Sequence, residues 1–176
     1  MRYTLNILIL FILLGISSYA YSALDPKQEI DSLENRLKSA KGNDAISIIN
    51  QLSDKYRIFN VDKSIELSNE ALEKAKKSGN EKEQADALNN LGKSAVAKEK
   101  LNEAINYFQW SFDLSNKSKY VEGISKSLNN ICFVYGRLKD FAKVEEYHKK
   151  AIKILSDLDS KEELGNIYLS FGDAYK

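Results

Sequence analysis

Two asparagine pairs carry the most usable hydrogen-bonding chemistry in the chain: Asn89-Asn90 and, 40 residues on, Asn129-Asn130. A primary amide offers two donors and an acceptor, so asparagines on adjacent elements can grip a peptide backbone whatever its side chains. Three cations, Lys93, Lys126 and Arg137, accompany them, and an ammonium or guanidinium can hold a carboxylate. This is binding chemistry. The residue types that catalysis needs are sparse. One histidine, His148, and one cysteine, Cys132, leave no nucleophile–base set at a recognisable spacing. A single cysteine also excludes an intramolecular disulfide and a cysteine-based metal cluster. Gly-rich phosphate loops, paired metal ligands and G-x-S-x-G do not occur. No enzyme activity, metal or cofactor is therefore expected within these residues. The acidic residues around 99–103 and at Glu145 and Glu146 read as a solvated helix face.

The balance of 26 Lys and Arg against 25 Asp and Glu contains no basic stripe, so a nucleic-acid partner has no electrostatic footprint. Arg2 is the only charge before Asp25, and without that leader the balance is 25 against 25. Apolar residues at 43%, with 10% aromatic, suffice to bury a core. One proline and eight glycines favour long helices.

The elements that must position the asparagines repeat. Leu88-Asn89-Asn90-Leu91-Gly92 returns as Leu128-Asn129-Asn130-Ile131-Cys132, and in part as Tyr168 followed by Phe171-Gly172. The same shift of 40 carries Leu101 onto Phe141, Ala104 onto Val144, Tyr107 onto Tyr147 and Ser111 onto Ala151. A fixed period of this size predicts stacked repeats, each too small to bury its own apolar face. Asp25-Pro26-Lys27-Gln28 reads as a helix start, with Ile30, Leu33 and Leu37 at helical spacing and Gly42 closing the segment. Helices are expected near 45–57, 62–77, 82–98, 102–117, 121–138, 140–157 and from 162 onward. Period-two alternation and hairpin turn pairs are absent, so the class is all-α, in antiparallel pairs.

Residues 1–23 differ in kind: Arg2, an apolar run over 7–16, then a small and polar tail. That is the pattern of a secretory signal peptide, with small residues at Ser18/Ala20 or Ala20/Ser22 before a cut. The alternative is an uncleaved N-terminal membrane anchor over residues 5–24, close to the ~20 residues that span a bilayer. Either way the rest is expected to be exported, periplasmic or extracellular, or anchored to the cytoplasmic membrane. A lone Cys132 in that compartment should be buried.

The segment Leu88-x2-Leu91-Gly92-x2-Ala95, then Ala104-x3-Phe108-x2-Ser111, resembles the tetratricopeptide repeat, whose pattern is W-x2-L-G-x2-Y then A-x3-F. A second copy reads Leu128-x2-Ile131-Cys132-x2-Tyr135, then Val144-x3-His148-x2-Ala151. A third begins Tyr168-x2-Phe171-Gly172-x2-Tyr175. The resemblance implies a right-handed solenoid of antiparallel helix pairs. Its parts are an N-terminal helix (25–42), a degenerate repeat (44–80), repeats at 81–118 and 120–159, and the first helix of an incomplete repeat (161–176). The family's unit is ~34 residues, so a spacing of 40 implies lengthened helices. Long-period copies of this kind resemble extracytoplasmic repeat regions of bacterial sensor histidine kinases and diguanylate cyclases. Small residues (Gly92, Cys132, Gly172, Ala104, Ser111, Ala151) should lie where paired helices touch. Large ones (Leu91, Phe108, Phe112, Tyr135) should fill the space between pairs. Ile167, Tyr168, Phe171 and Tyr175 are expected to lack a following helix, which leaves a surface for self-association and points to a truncated chain.

In that family the first helix of each pair lines a concave peptide groove. Mapped onto this chain, the groove carries Asn89, Asn90 and Lys93 with Asp86 and Ala97, then Lys126, Asn129, Asn130, Phe133 and Arg137, with Tyr56 and Arg57 upstream. The family's carboxylate clamp is not reproduced: Asn90 and Lys126 occupy two of its positions, but Ile49, Ser53 and Asn130 occupy the others. Trp110, two residues beyond Phe108, faces away from its pair and serves either as an interface anchor or as cover for the junction between repeats. The expected function is an exported, non-catalytic module that binds a protein or peptide. The alternative is the N-terminal sensor region of a truncated signal-transduction enzyme.

Overall fold

The 40-residue period resolves into two halves of 20. The computed structural model describes residues 25–173. Among them are eight helices and no strand: α1 Pro26–Leu37, α2 Gly42–Tyr56, α3 Val61–Ser78, α4 Glu81–Ala97, α5 Leu101–Lys117, α6 Val121–Arg137, α7 Phe141–Asp157 and α8 Lys161–Asp173. The leader, its expected membrane attachment through residues 5–24, and the side chains of Phe171 and Tyr175 lie outside the described residues. No helix of the described part is long and apolar enough to cross a membrane.

Polar side chains start several of these helices. Asp25, Asn60, Asn80 and Asp140 each accept a backbone N–H of the first turn, which satisfies a donor that the helix itself leaves open. The connections are tighter than the sequence suggests. Helices α3 to α7 all end on a left-handed residue: Gly79 (φ 70°), then Glu99, Lys119, Lys139 and Asp159 (φ between 50° and 59°). The next amide reaches back to the last turn in every case: Asn80 N–H to the Ala75 carbonyl (3.0 Å), Lys100 to Ala95 (2.9 Å), Tyr120 to Ser115 (2.8 Å), Asp140 to Tyr135 (3.0 Å) and Ser160 to Leu155 (3.0 Å). This is Schellman closure. Four of the five sites hold an ordinary L-residue where glycine costs least, so glycine content alone does not reveal them. At the other end of the chain, Gly42 (φ 57°) opens α2 instead of closing the segment before it.

The turns make successive helices antiparallel. Beyond those neighbours, α2 touches α4, α4 touches α6 and α6 touches α8, whereas α3, α5 and α7 do not touch one another. Even-numbered helices therefore crowd together on an inner face, and the odd ones from α3 onward spread apart on the outer face. The architecture is a tetratricopeptide-type helical-repeat solenoid.

Small residues set the approach of the helices. Ser53, Ser64, Ser68 and Ser94 are fully buried. The Ser53 hydroxyl donates to the Ser64 carbonyl (2.9 Å) and lies 2.5 Å from Ser68 Oγ, and Ser64 Oγ lies 3.0 Å from Ser94 Oγ. Ser111 donates to the Ala85 carbonyl (2.8 Å), and Ser127 to Ser111 (2.9 Å). Each of these hydroxyls finds a partner on the helix it allows to come close. Gly92 is tighter still: a Cβ there would sit 2.4 Å from the Phe108 ring, which is itself buried. Phe108 thus lies directly over Gly92 within its own pair, while also joining Ile131 and Val134 of the next repeat in one core cluster. One expectation fails in part: Ile167 is not left bare but is fully buried with Phe112, Ile124, Leu128, Ala151 and Leu155. Tyr168 and Leu169 remain exposed.

Candidate functional site: the inner groove

Between α2, α4 and α6 the inner face holds an open pocket of ≈ 200 Å³, lined almost wholly by polar side chains. Helix α2 supplies Ser47, Asn50, Gln51, Asp54 and Lys55, α4 supplies Glu83, Asp86, Asn89, Asn90 and Lys93, and α6 supplies Lys126. A second pocket, ≈ 560 Å³, lies between α6 and α8, with Lys126 and Asn129 against Glu162, Glu163 and Asn166.

The asparagines first bind the helices to each other. Asn90 Nδ2 donates to the Asn50 carbonyl (2.9 Å), and Asn130 Nδ2 donates to Asn89 Oδ1 (2.8 Å). Asn50, one period before Asn90, donates to the Glu83 carbonyl (3.0 Å) and to Glu83 Oε2 (2.8 Å). The sequence reading passed over Asn50, although the shift of 40 that aligns Asn90 with Asn130 also aligns it with Asn50.

The cations are likewise engaged. Lys93 pairs with Asp54 at 3.0 Å, Lys126 with Glu122 at 2.6 Å and Arg137 with Glu99 at 2.7 Å. Burial pushes Asp54 up, but the charges and hydrogen bonds of Lys93 and Arg57 outweigh it and hold the carboxyl below its usual value. Of the residues mapped from sequence, Asp86, Asn89, Asn90, Lys93 and Lys126 line the first pocket, and Lys126 and Asn129 the second. Asn130 reaches the first through Asn89, whereas Phe133 and Arg137 line neither. Phe133 is 52% exposed. Upstream, Tyr56 donates to Glu34 (2.6 Å) and Arg57 lies 3.6 Å from Asp54.

The acceptors differ from the cations. Asp86 and Glu122 share the one proton of Tyr120 Oη, which lies 3.3 Å from each Asp86 carboxylate oxygen and 3.2 Å from Glu122 Oε2. Burial raises Asp86 to about 6, with Lys126 opposing the rise and Glu83 and Glu122 adding to it. Burial, Asp86 and Glu122 push the Tyr120 phenol far up, so it stays a donor. Asn50 is only 5% exposed, and its Oδ1 has no hydrogen-bond partner.

Elsewhere, Cys132 is buried, its thiol pushed up by that burial to about 12 and directed at the Val144 carbonyl (3.7 Å). Burial lowers His148, which packs edge-on to Tyr168 at 6.0 Å. Trp110 is 54% exposed on the outer α5 and meets Tyr107 edge-on at 5.7 Å. No group of three or more potential metal ligands occurs among the described residues.

Residues 21–161 match the sequence family described as the SusR N-terminal TPR domain, TPR denoting the tetratricopeptide repeat. The chain belongs to that family. Among solved structures, the SusR-type TPR domain seen here is similar to aspartyl phosphate phosphatase F from Bacillus subtilis, with a TM-score of 0.72 and 14% sequence identity. The match covers 92% of this chain and 44% of that one, so the chain spans less than half the length of that neighbour. Identity this low shows a shared fold. No curated protein sequence matches the chain. As a TPR-type array, the domain is of the protein-binding kind, because stacked repeats present an extended inner surface.

Proposed function

We propose that this TPR domain is an exported, non-catalytic module that binds an extended peptide segment of a partner protein along the inner faces of α2, α4, α6 and α8. The observation that carries this reading is the polar pocket between α2, α4 and α6, where three successive inner helices contribute hydrogen-bonding side chains to one opening. Cross-helix bonds such as Asn90 to Asn50 and Asn130 to Asn89 hold that opening in shape before a ligand arrives, which limits the entropy lost on binding. Lys93, Lys126, Asn129 and Asn130 border the path, and Phe133 and Arg137 extend it toward the ends of the helices.

The test is selection of a displayed random dodecapeptide library on the full chain, followed by titration of two variants. Gln51→Trp places a bulky ring at the exposed edge of the pocket. Asn106→Trp places the same ring on the outer α5 as a control. Binding lost in the first and kept in the second supports the groove, and the opposite pattern overturns it.

The family's description as an N-terminal domain favours a second reading: that the module is the sensor region of a longer signal-transduction protein, such as a sensor histidine kinase or a diguanylate cyclase. An open reading frame that continues past codon 176 into a membrane-spanning run and a catalytic domain would support it. Export is tested by fusing residues 1–176 to alkaline phosphatase, which is active only outside the cytoplasm.

A further inference from the structure

Three features of the inner pocket have one polarity. Asn50 Oδ1 is an acceptor without a donor in a residue nine-tenths buried. Its orientation is fixed, because both protons of the same amide are engaged by Glu83. Asp86, on the next inner helix, receives only a share of the single Tyr120 hydroxyl proton, 3.3 Å from each of its oxygens and 3.2 Å from Glu122 Oε2. Among the described residues no cation lies within ion-pair distance of it. Lys55, Lys93 and Lys126, the cations that line the pocket, are each paired with another carboxylate: Glu29, Asp54 and Glu122. A buried acceptor without a donor is costly, and so is a half-buried carboxylate whose opposing charge, Lys126, is itself paired with Glu122. Both costs fall when a donor-rich cation enters.

We propose that the pocket between α2, α4 and α6 receives the basic side chain of a bound peptide, its ammonium or guanidinium donating to Asn50 Oδ1 and the Asp86 carboxylate. This rests on the peptide-binding reading above and gives it a specificity opposite to that of a carboxylate clamp. The groove selects lysine or arginine at one position of the ligand and rejects an acidic residue there. Lys93 and Lys126 then act as walls, repelling a second positive charge to either side.

The experiment uses the peptides enriched by the library on the full chain. The expected result is a shared lysine or arginine at one position. Replacing a shared lysine by norleucine, which keeps most of the stem and removes the charge, should weaken binding to the wild-type protein about tenfold or more, as expected for a charge-assisted hydrogen bond. The same replacement should cost little against Asp86→Asn, so that the double-mutant cycle assigns the coupling to that carboxylate. Comparing lysine, arginine and citrulline versions separates ammonium from guanidinium recognition without any protein variant. If the selected peptides are blocked by Gln51→Trp but lack a basic residue, or if norleucine costs the same with and without Asp86, the inference is overturned while the groove stands. If no selected peptide is blocked by Gln51→Trp, the groove reading falls, and this inference with it.

Discussion

Burial raises the Asp86 carboxyl from an ordinary 3.8 to about 6, and the positive charge of Lys126 only partly opposes that rise. Its folded-state pKa lies above its unfolded one, so between the two values the native state binds more protons. The group's contribution to stability is therefore fully present below the lower value and is lost as pH rises through the higher. At neutral pH the ionised carboxylate weakens the fold, by on the order of 3 kcal/mol for a shift of this size. Asp86→Asn keeps an acceptor for Tyr120 and removes the charge. It should raise the urea midpoint at about pH 7 and leave it nearly unchanged at about pH 3, below both values, where the wild-type group is largely protonated in both states. An equal gain at both pH values would mean that the effect comes from packing. A residue that weakens the unliganded protein in this way fits a position kept for a ligand better than one kept for the fold.

At the scale of helices, residue size is matched between the members of a pair. Gly92 faces Phe108. One period later Cys132 and His148 stand at those two positions, and one period earlier Leu52 and Ser68, all buried. A large residue on one helix recurs with a small one on the other, because the space between paired helices is filled to a fixed density. Gly92→Ala should therefore cost about 1–3 kcal/mol through overpacking, even though alanine is the better helix former. Phe108→Leu in the same chain should recover part of that loss, since it opens room for the new methyl. Thermal melts of the two single variants and the double decide this, and strictly additive losses would contradict it. The same comparison shows what could be read before any coordinates. The period, the helix pairs and the equivalence of Gly92 with Cys132 follow from the sequence, because periodicity records burial. The pairing of Lys93 with Asp54 and of Arg137 with Glu99 joins residues nearly one period apart in neighbouring repeats. No pattern within one helix reveals it, so cations that look available in sequence are engaged in the fold. Nor does composition reveal the left-handed Glu99, Lys119, Lys139 and Asp159, which are set by hydrogen bonds to the preceding turn.

For the whole molecule, the stack is one-dimensional, and stability should follow the number of neighbours each helix has. Helix α4 touches α2, α3, α5 and α6, whereas α1 touches α2 alone and α8 only α6 and α7. Local openings with free energies from near zero up to the global value are the rule in such a gradient. Helix α6, with α4, α5, α7 and α8 about it, matches α4, so amide exchange should be slowest in α4 and α6, faster in α8 and fastest in α1. Hydrogen-exchange mass spectrometry of the full chain reads this order directly, and uniform protection from α1 to α8 would show a single cooperative unit instead. The order also bears on the groove. Its central wall, α4, carries Asp86, Asn89, Asn90 and Lys93 on one of the two most protected helices, between α2 and α6, so a peptide seated there meets a surface that is already formed. Its binding should then deepen protection in α2 more than in α4. A ligand that instead protected α1 or α8 first would be docking at the ends of the stack, on surfaces such as the exposed Tyr168 and Leu169, and not in the groove.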